Sequence, residues 1–182
     1  VVGLESGQIT SIVRYDRDAK FPGHEHPDGE EILVLDGVFS DEAGDWGEDA
    51  YLLNPEGFRH APFSKSGCVI FVKLRQYPGK RSHVALQTGQ MPWLPGSDAG
   101  VEFKTLYADP GTPPAFPETL RLERWPRASG PLSRHYPGGA EILVLDGAIE
   151  DEQGCYGKLT WLRLPPGARH SLRSNQGARL YV

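Results

Sequence analysis

Glu31-Ile32-Leu33-Val34-Leu35-Asp36-Gly37 recurs unchanged as Glu141-Ile142-Leu143-Val144-Leu145-Asp146-Gly147, 110 positions later. The register then holds without a gap: from Arg14 to Val72, 23 of 59 positions carry the same residue as the position 110 further on. Pro27 meets Pro137, Gly44 meets Gly154, Pro55 meets Pro165, His60 meets His170 and Gly67 meets Gly177. Most of the matches are glycines, prolines and apolar strand residues, so the halves share turn geometry and packing, and duplication is the simplest account.

Outside the repeated heptad, short Val/Ile/Leu/Tyr-rich runs separated by Gly and Pro predict an all-β chain with little helix. Gln8–Tyr15, Glu30–Phe39, Ala50–Leu53 and Cys68–Leu74 are the expected strands of the first half. Val101–Tyr107, Leu120–Trp125, Glu141–Ile149, Thr160–Leu164 and Ala178–Val182 are those of the second. The expected division is a first domain over residues 1–77, a connector over 78–100 rich in Pro and aromatic residues, and a second domain over 101–182. Both heptad strands are apolar on both faces. Ile32, Val34, Ile142 and Val144 are expected to point inward, with Leu33, Leu35, Leu143 and Leu145 covered, most simply by the other half in an internal dimer-like contact. A homodimer is a further expectation.

A net charge of −5 and a pI near 5.7 offer no basic face for a phosphate backbone, which argues against nucleic-acid binding. The two cysteines, Cys68 and Cys155, form neither a disulfide framework nor a CxxC motif, which fits a reducing compartment. No apolar run is long enough to span a bilayer and no apolar leader follows a basic start, so the expectation is a cytoplasmic protein without a membrane partner.

Chemistry concentrates in the first half. His24 and His26 lie two apart, so on a strand both imidazoles share a face while Glu25 points away. Pro27-Asp28-Gly29 can bend the chain, after which Glu30 brings a carboxylate on the next strand. Pro55-Glu56-Gly57-Phe58-Arg59-His60 then places a third imidazole after another turn. Each element alone is weak. Together they read as H-x-H-x3-E-x6-G followed by P-x-G-x2-H, a donor set that suits one divalent transition metal with coordination positions left open. In the second half the corresponding positions hold Arg134, Tyr136 and Ala140, and only His170 survives. That pattern predicts a domain kept for packing or ligand binding without metal. A site from His135, Glu141 and His170 would require His135 to turn inward against strand parity.

At these residues the chain resembles the cupin superfamily, and more narrowly the cupin-like domain of the ChrR anti-sigma factors. The narrower resemblance rests on Gly29 through Glu42, on Asn54-Pro55 through His60-Ala61-Pro62-Phe63, and on Gly67-Cys68 to Arg75-Gln76, and it runs over almost the whole chain, once per half. It implies two tandem jelly-roll barrels of the double-stranded β-helix type, with a metal inside. Carried over, the ligands are His24, His26, Glu30 and His60, with zinc first and iron, nickel or manganese as alternatives. Ser64 departs from the general cupin pattern, which has Asn there, but that Asn is not a ligand.

Two functions follow from the resemblance. One is a regulatory or sensing module. Neither a His-x3-Cys-x2-Cys motif nor a helical segment precedes the barrel, which argues against sigma-factor binding by this chain. The other is a metal-dependent dioxygenase acting on a small diketone, flavonol or hydroxyacetophenone-like ligand held in a barrel. The sequence leaves enzyme and sensor both open.

Overall fold

Ile32 and Val34 point into one hydrophobic core and Ile142 and Val144 into another, and the chain gathers around them as two units, Val1–Gln90 and Met91–Val182. The structure, a computed structural model, describes residues 7–76, 81–98, 100–109 and 118–182. Tyr77, read from sequence as the end of the first domain, and Pro78-Gly79, read as the start of a connector, lie outside the described residues. Among the described residues, regular structure is strand throughout apart from one short 3-10 turn, Thr88–Gln90, and no helix is long and apolar enough to cross a membrane.

The first unit runs through β1 (Ile9–Tyr15), β2 (Ala19–Lys20), β3 (His24–His26), β4 (Glu30–Gly37), β5 (Phe39–Asp41) and β6 (Gly44–Trp46). It continues with β7 (Ala50–Asn54), β8 (Phe58–His60), β9 (Phe63–Ser64), β10 (Cys68–Leu74) and β11 (Val84–Gln87). One sheet has the order β1-β10-β4-β7-β11 and a second β2-β9-β5-β6, while β3 pairs with β8. Phe39 on β5 packs with Ile32, Val34, Leu52, Ile70 and Val72 of the five-stranded sheet, so the core lies between two curled layers. Each such side chain, fully buried, contributes about 1.5–3 kcal/mol.

The second unit contains β12 (Leu94–Pro95), β13 (Glu102–Asp109), β14 (Glu118–Trp125), β15 (Ser129–Tyr136), β16 (Ala140–Glu150), β17 (Cys155–Gly157), β18 (Trp161–Leu164), β19 (Ala168–Ser174) and β20 (Ala178–Tyr181). Five residues of its core stand at the 110-residue offset from core residues of the first unit. Ile142 stands for Ile32, Val144 for Val34, Ile149 for Phe39, Ala178 for Cys68 and Leu180 for Ile70. Leu33, Leu143 and Leu145 are buried and Leu35 is half-buried.

Two differences from the sequence reading have local causes. The expected strand Glu30–Phe39 is interrupted at Val38, whereas its counterpart β16 runs on to Glu150, pairing with β18 and β20 before Gly147 and with β17 and β19 beyond it. Both turn at a glycine in the left-handed region, Gly37 at φ 73° and Gly147 at φ 69°. A Cβ at Gly37 would stand 2.2 Å from the carbonyl oxygen of Gly67, and one at Gly147 2.1 Å from that of Gly177. The second difference is a set of strands with poor intrinsic propensity. β15 (Ser-Gly-Pro-Leu-Ser-Arg-His-Tyr) and β19 (Ala-Arg-His-Ser-Leu-Arg-Ser) pair with each other, so tertiary pairing overrides composition there.

The stretch read as a connector also joins the sheets: β11 pairs with β7, and β12 with β13. That pairing accounts for one asymmetry. Tyr51 on β7 is fully buried, while its repeat counterpart Trp161 on β18 is exposed, and among the described residues only β16 pairs with β18.

Candidate metal centre

Four strands of the first unit build the site. β3 and β8 pair antiparallel with His24 opposite His60 and His26 opposite Phe58. β4 and β7 pair with Glu30 opposite Asn54. The strand alternation that sends Ile32 and Val34 into the core sends Glu30 to the same side. It is buried, as are His26, His60 and Asn54, whereas His24 stands exposed at the rim of the group.

The three imidazoles converge. One ring nitrogen from each of His24, His26 and His60 lies within 4.8 Å of the others, a group that could hold a metal ion. The Nε2 atoms of His26 and His60 are 3.0 Å apart, and Oε2 of Glu30 is 3.4 Å from each. Asn54 Nδ2 donates to that same oxygen at 2.9 Å.

Outer groups lie behind two of the rings. His24 Nδ1 lies 2.9 Å from the Pro22 carbonyl, which can only accept, so His24 carries its proton there and keeps a lone pair on Nε2. Asp41 Oδ2 lies 3.6 Å from His60 Nδ1, behind the ring, whose Nε2 is turned toward Glu30. Asp41 is itself fixed, its Oδ1 accepting from the Ala43 and Gly44 amides and from Trp46 Nε1.

The electrostatics suit a cation. Burial, reinforced by His60 and His24, lowers the pKa of His26 to about 3, so this ring stays neutral with a lone pair to offer. Burial pushes Glu30 upward against the opposing pull of His60 and Asn54. Burial works downward on His60, but Asp41 and Glu30 outweigh it and raise its pKa. Burial works upward on Asp41, but the nearby His60 ring and hydrogen bonds from Trp46 and Ala43 prevail and lower it. A buried carboxylate beside closely spaced imidazole nitrogens is a costly arrangement that one divalent cation relieves, so the donor set fits a transition metal.

The second unit puts different chemistry at the matching positions. Arg134, in place of His24, donates to Asp98 and, at 2.8–3.0 Å, to both oxygens of Glu123, which also accepts from Arg121 and Trp125. Tyr136 and Ala140 replace His26 and Glu30, and Leu164 replaces Asn54. His135 is exposed, on the opposite face from Arg134, and does not join Glu141 and His170. His170 remains, with Nε2 2.6 Å from Asp151 Oδ2, and Asp151 Oδ1 accepts from Gln153, Gly154 and Tyr156. Asp151 and Tyr156 stand 110 residues beyond Asp41 and Trp46, so both units set an aspartate beside the shared histidine, through Nε2 at 2.6 Å in the second unit and facing Nδ1 at 3.6 Å in the first.

Sequence reasoning singled out His24, His26, Glu30 and His60 but passed over Asp41 and Asn54. Asp41 was detectable as an identity across the repeat. His83 is exposed and stacks flat on Phe58, with ring centroids 4.9 Å apart, and Arg59 and Arg169 are exposed. Cys68 is buried and Cys155 exposed, and both are free thiols.

Comparison with solved structures finds the same fold in a candidate dioxygenase from Nostoc punctiforme, at 16% identity over 97% of this chain and 68% of that one, with a TM-score of 0.80. A quercetin 2,3-dioxygenase from Acinetobacter baumannii is similar at 14% identity, 94% and 72% coverage, and a TM-score of 0.60. A bacterial pirin from Escherichia coli, in complex with nickel(II), is similar at 12% identity, 94% and 79% coverage, and a TM-score of 0.66. Comparison with curated protein sequences finds no match. The model of the ChrR cupin-like domain matches residues 1–78 and again 81–182. With the jelly-roll fold and the histidine cluster in place, the chain belongs to the ChrR cupin-like domain family.

Proposed function

We propose that the first unit is a metal-dependent sensing module, in which His24, His26 and His60 with Glu30 as a fourth ligand hold one divalent transition metal, zinc first among the candidates. The observation that carries this reading is the convergence of the three imidazoles, two of them buried, on the carboxylate of Glu30. When bound, the ion supplies the positive charge that this donor set lacks and a Lewis-acidic centre at its open positions. The side chains do the rest. The Pro22 carbonyl holds the Nδ1 proton of His24, Asp41 places a carboxylate 3.6 Å behind Nδ1 of His60, and Asn54 holds the Glu30 carboxylate. His60 packs against Phe39 and Phe58, at 6.1 and 5.7 Å between centroids, so displacement of its ring is passed to the core. Membership in the ChrR cupin-like family supports a regulatory role of this kind.

A second reading, a metal-dependent dioxygenase for a small diketone, flavonol or hydroxyacetophenone, is favoured by one observation. His24 is exposed, which leaves one side of the group open to a ligand from solvent. The shared fold with proteins described as dioxygenases is compatible with it. Elemental analysis of protein purified without added metal, followed by O₂ uptake with a panel of these compounds on protein loaded with zinc, iron or nickel, separates the two. Tightly held zinc and no uptake are expected; metal-dependent uptake lost in Glu30→Gln would establish the enzyme instead.

A further inference from the structure

Asn54 is paired with Glu30 twice over: they face each other across the β4–β7 ladder, and the Asn54 amide donates to Oε2, the oxygen that lies 3.4 Å from both His26 and His60. The other end of the same amide has no counterpart. Asn54 is 1% exposed, and its Oδ1 is buried without a hydrogen-bond partner. An unpaired buried carbonyl costs about 1–3 kcal/mol, so stability alone does not account for an asparagine here.

The second unit supplies an internal control. The same two ladder positions face each other there as Ala140 and Leu164, and the strand pairing is kept. The fold therefore accepts an apolar pair at this point, and carboxylate and amide disappear together where the two matching imidazoles are also replaced. The amide is present only where there is a carboxylate to hold.

We infer that Asn54 is a positioning residue for the metal centre, fixing the Glu30 side chain so that Oε2 is directed between His26 and His60 as the fourth donor. The inference rests on the metal-binding reading above. It assigns Asn54 no contact with the ion, so its effect must pass through Glu30. Removing the amide frees the carboxylate to rotate away from the imidazoles, and metal affinity falls because the fourth ligand is no longer held in place.

The test is calorimetric titration of Zn²⁺ into chelator-stripped protein in four forms: unmodified, Asn54→Leu, Glu30→Ala, and the double variant that recreates the Ala140/Leu164 pair. Asn54→Leu is expected to weaken Zn²⁺ binding by about 10- to 100-fold in the unmodified background and by less than about twofold in the Glu30→Ala background. The metal-free double variant is expected to unfold at a temperature no lower than the metal-free unmodified protein. If Asn54→Leu does not fold, Asn54→Ala carries the same comparison. Equal loss in both backgrounds, or no loss in either, overturns the positioning role while leaving the metal site standing. An unmodified protein that binds no Zn²⁺, Ni²⁺ or Fe²⁺ overturns the metal reading and this inference with it.

Discussion

The Nε2 atoms of His26 and His60 lie 3.0 Å apart in the interior of the first unit. At that distance two imidazolium ions would repel strongly, so the pair accommodates at most one proton between the facing nitrogens, or a cation that takes both lone pairs. The three histidines differ in what holds them. His60 is buried and braced by Asp41, whereas His24 is at the rim, where water can take its place. His60→Ala is therefore expected to weaken metal binding more than His24→Ala, as read by competition with a chromophoric chelator.

Asp41 acts from behind His60, so its removal should weaken metal binding without removing a ligand. Asp41→Ala is expected to cost about 10- to 100-fold in affinity, the usual range for an outer partner of a ligating histidine. A metal titration checks it, and an unchanged affinity would mean that packing against Phe39 and Phe58 alone orients the ring.

In the second unit Asp151 and His170 stand at the matching positions. Asp151 is held by His170, Gln153, Tyr156 and Gly154 against the upward effect of burial, which places its pKa at about 2, below the ordinary carboxylate value of about 3.9. A carboxyl group whose folded pKa is depressed stabilises the fold above its unfolded pKa, and that contribution fades as pH falls toward the folded value. Asp151→Asn should thus unfold more readily than the unmodified protein at pH 7. The gap should narrow between about pH 4 and pH 2 in denaturant titrations.

Gly37 and Gly147 each combine a left-handed backbone with a carbonyl oxygen where a Cβ would go. The conformation alone costs a non-glycine residue about 1–2 kcal/mol, and the clash adds to it. Gly147→Ala is expected to lower the denaturation midpoint by more than that conformational cost implies, while Gly57→Ala, with nothing within 4 Å of the added Cβ, should show the conformational cost alone.

The 110-residue repeat made the paired cores legible because core packing is written in the identity and parity of strand residues, as Ile32/Ile142 and Val34/Val144 show. The histidine cluster was legible for the same reason: two-residue spacing and turns at Pro27-Asp28-Gly29 and Pro55-Glu56-Gly57 bring the imidazoles to one place. What strand parity could not convey was depth. His24 and His26 share a face, yet His24 sits at the outer end of a three-residue strand and stays exposed. Nor did spacing disclose Asp41 and Asn54. An aspartate near a turn and an asparagine at a strand end look ordinary until the fold sets one behind His60 and the other beside Glu30. β15 and β19 escaped notice because Gly130, Pro131 and scattered serines mask strands that exist by pairing with each other.

The central claim is one metal per chain, held in the first unit. Elemental analysis by inductively coupled plasma mass spectrometry, on protein purified without added metal and on its His26→Ala/His60→Ala variant, tests it most directly. The account predicts close to one equivalent of a divalent transition metal in the unmodified protein and almost none in the variant. Two tightly held equivalents, or one equivalent retained in the variant, would contradict it.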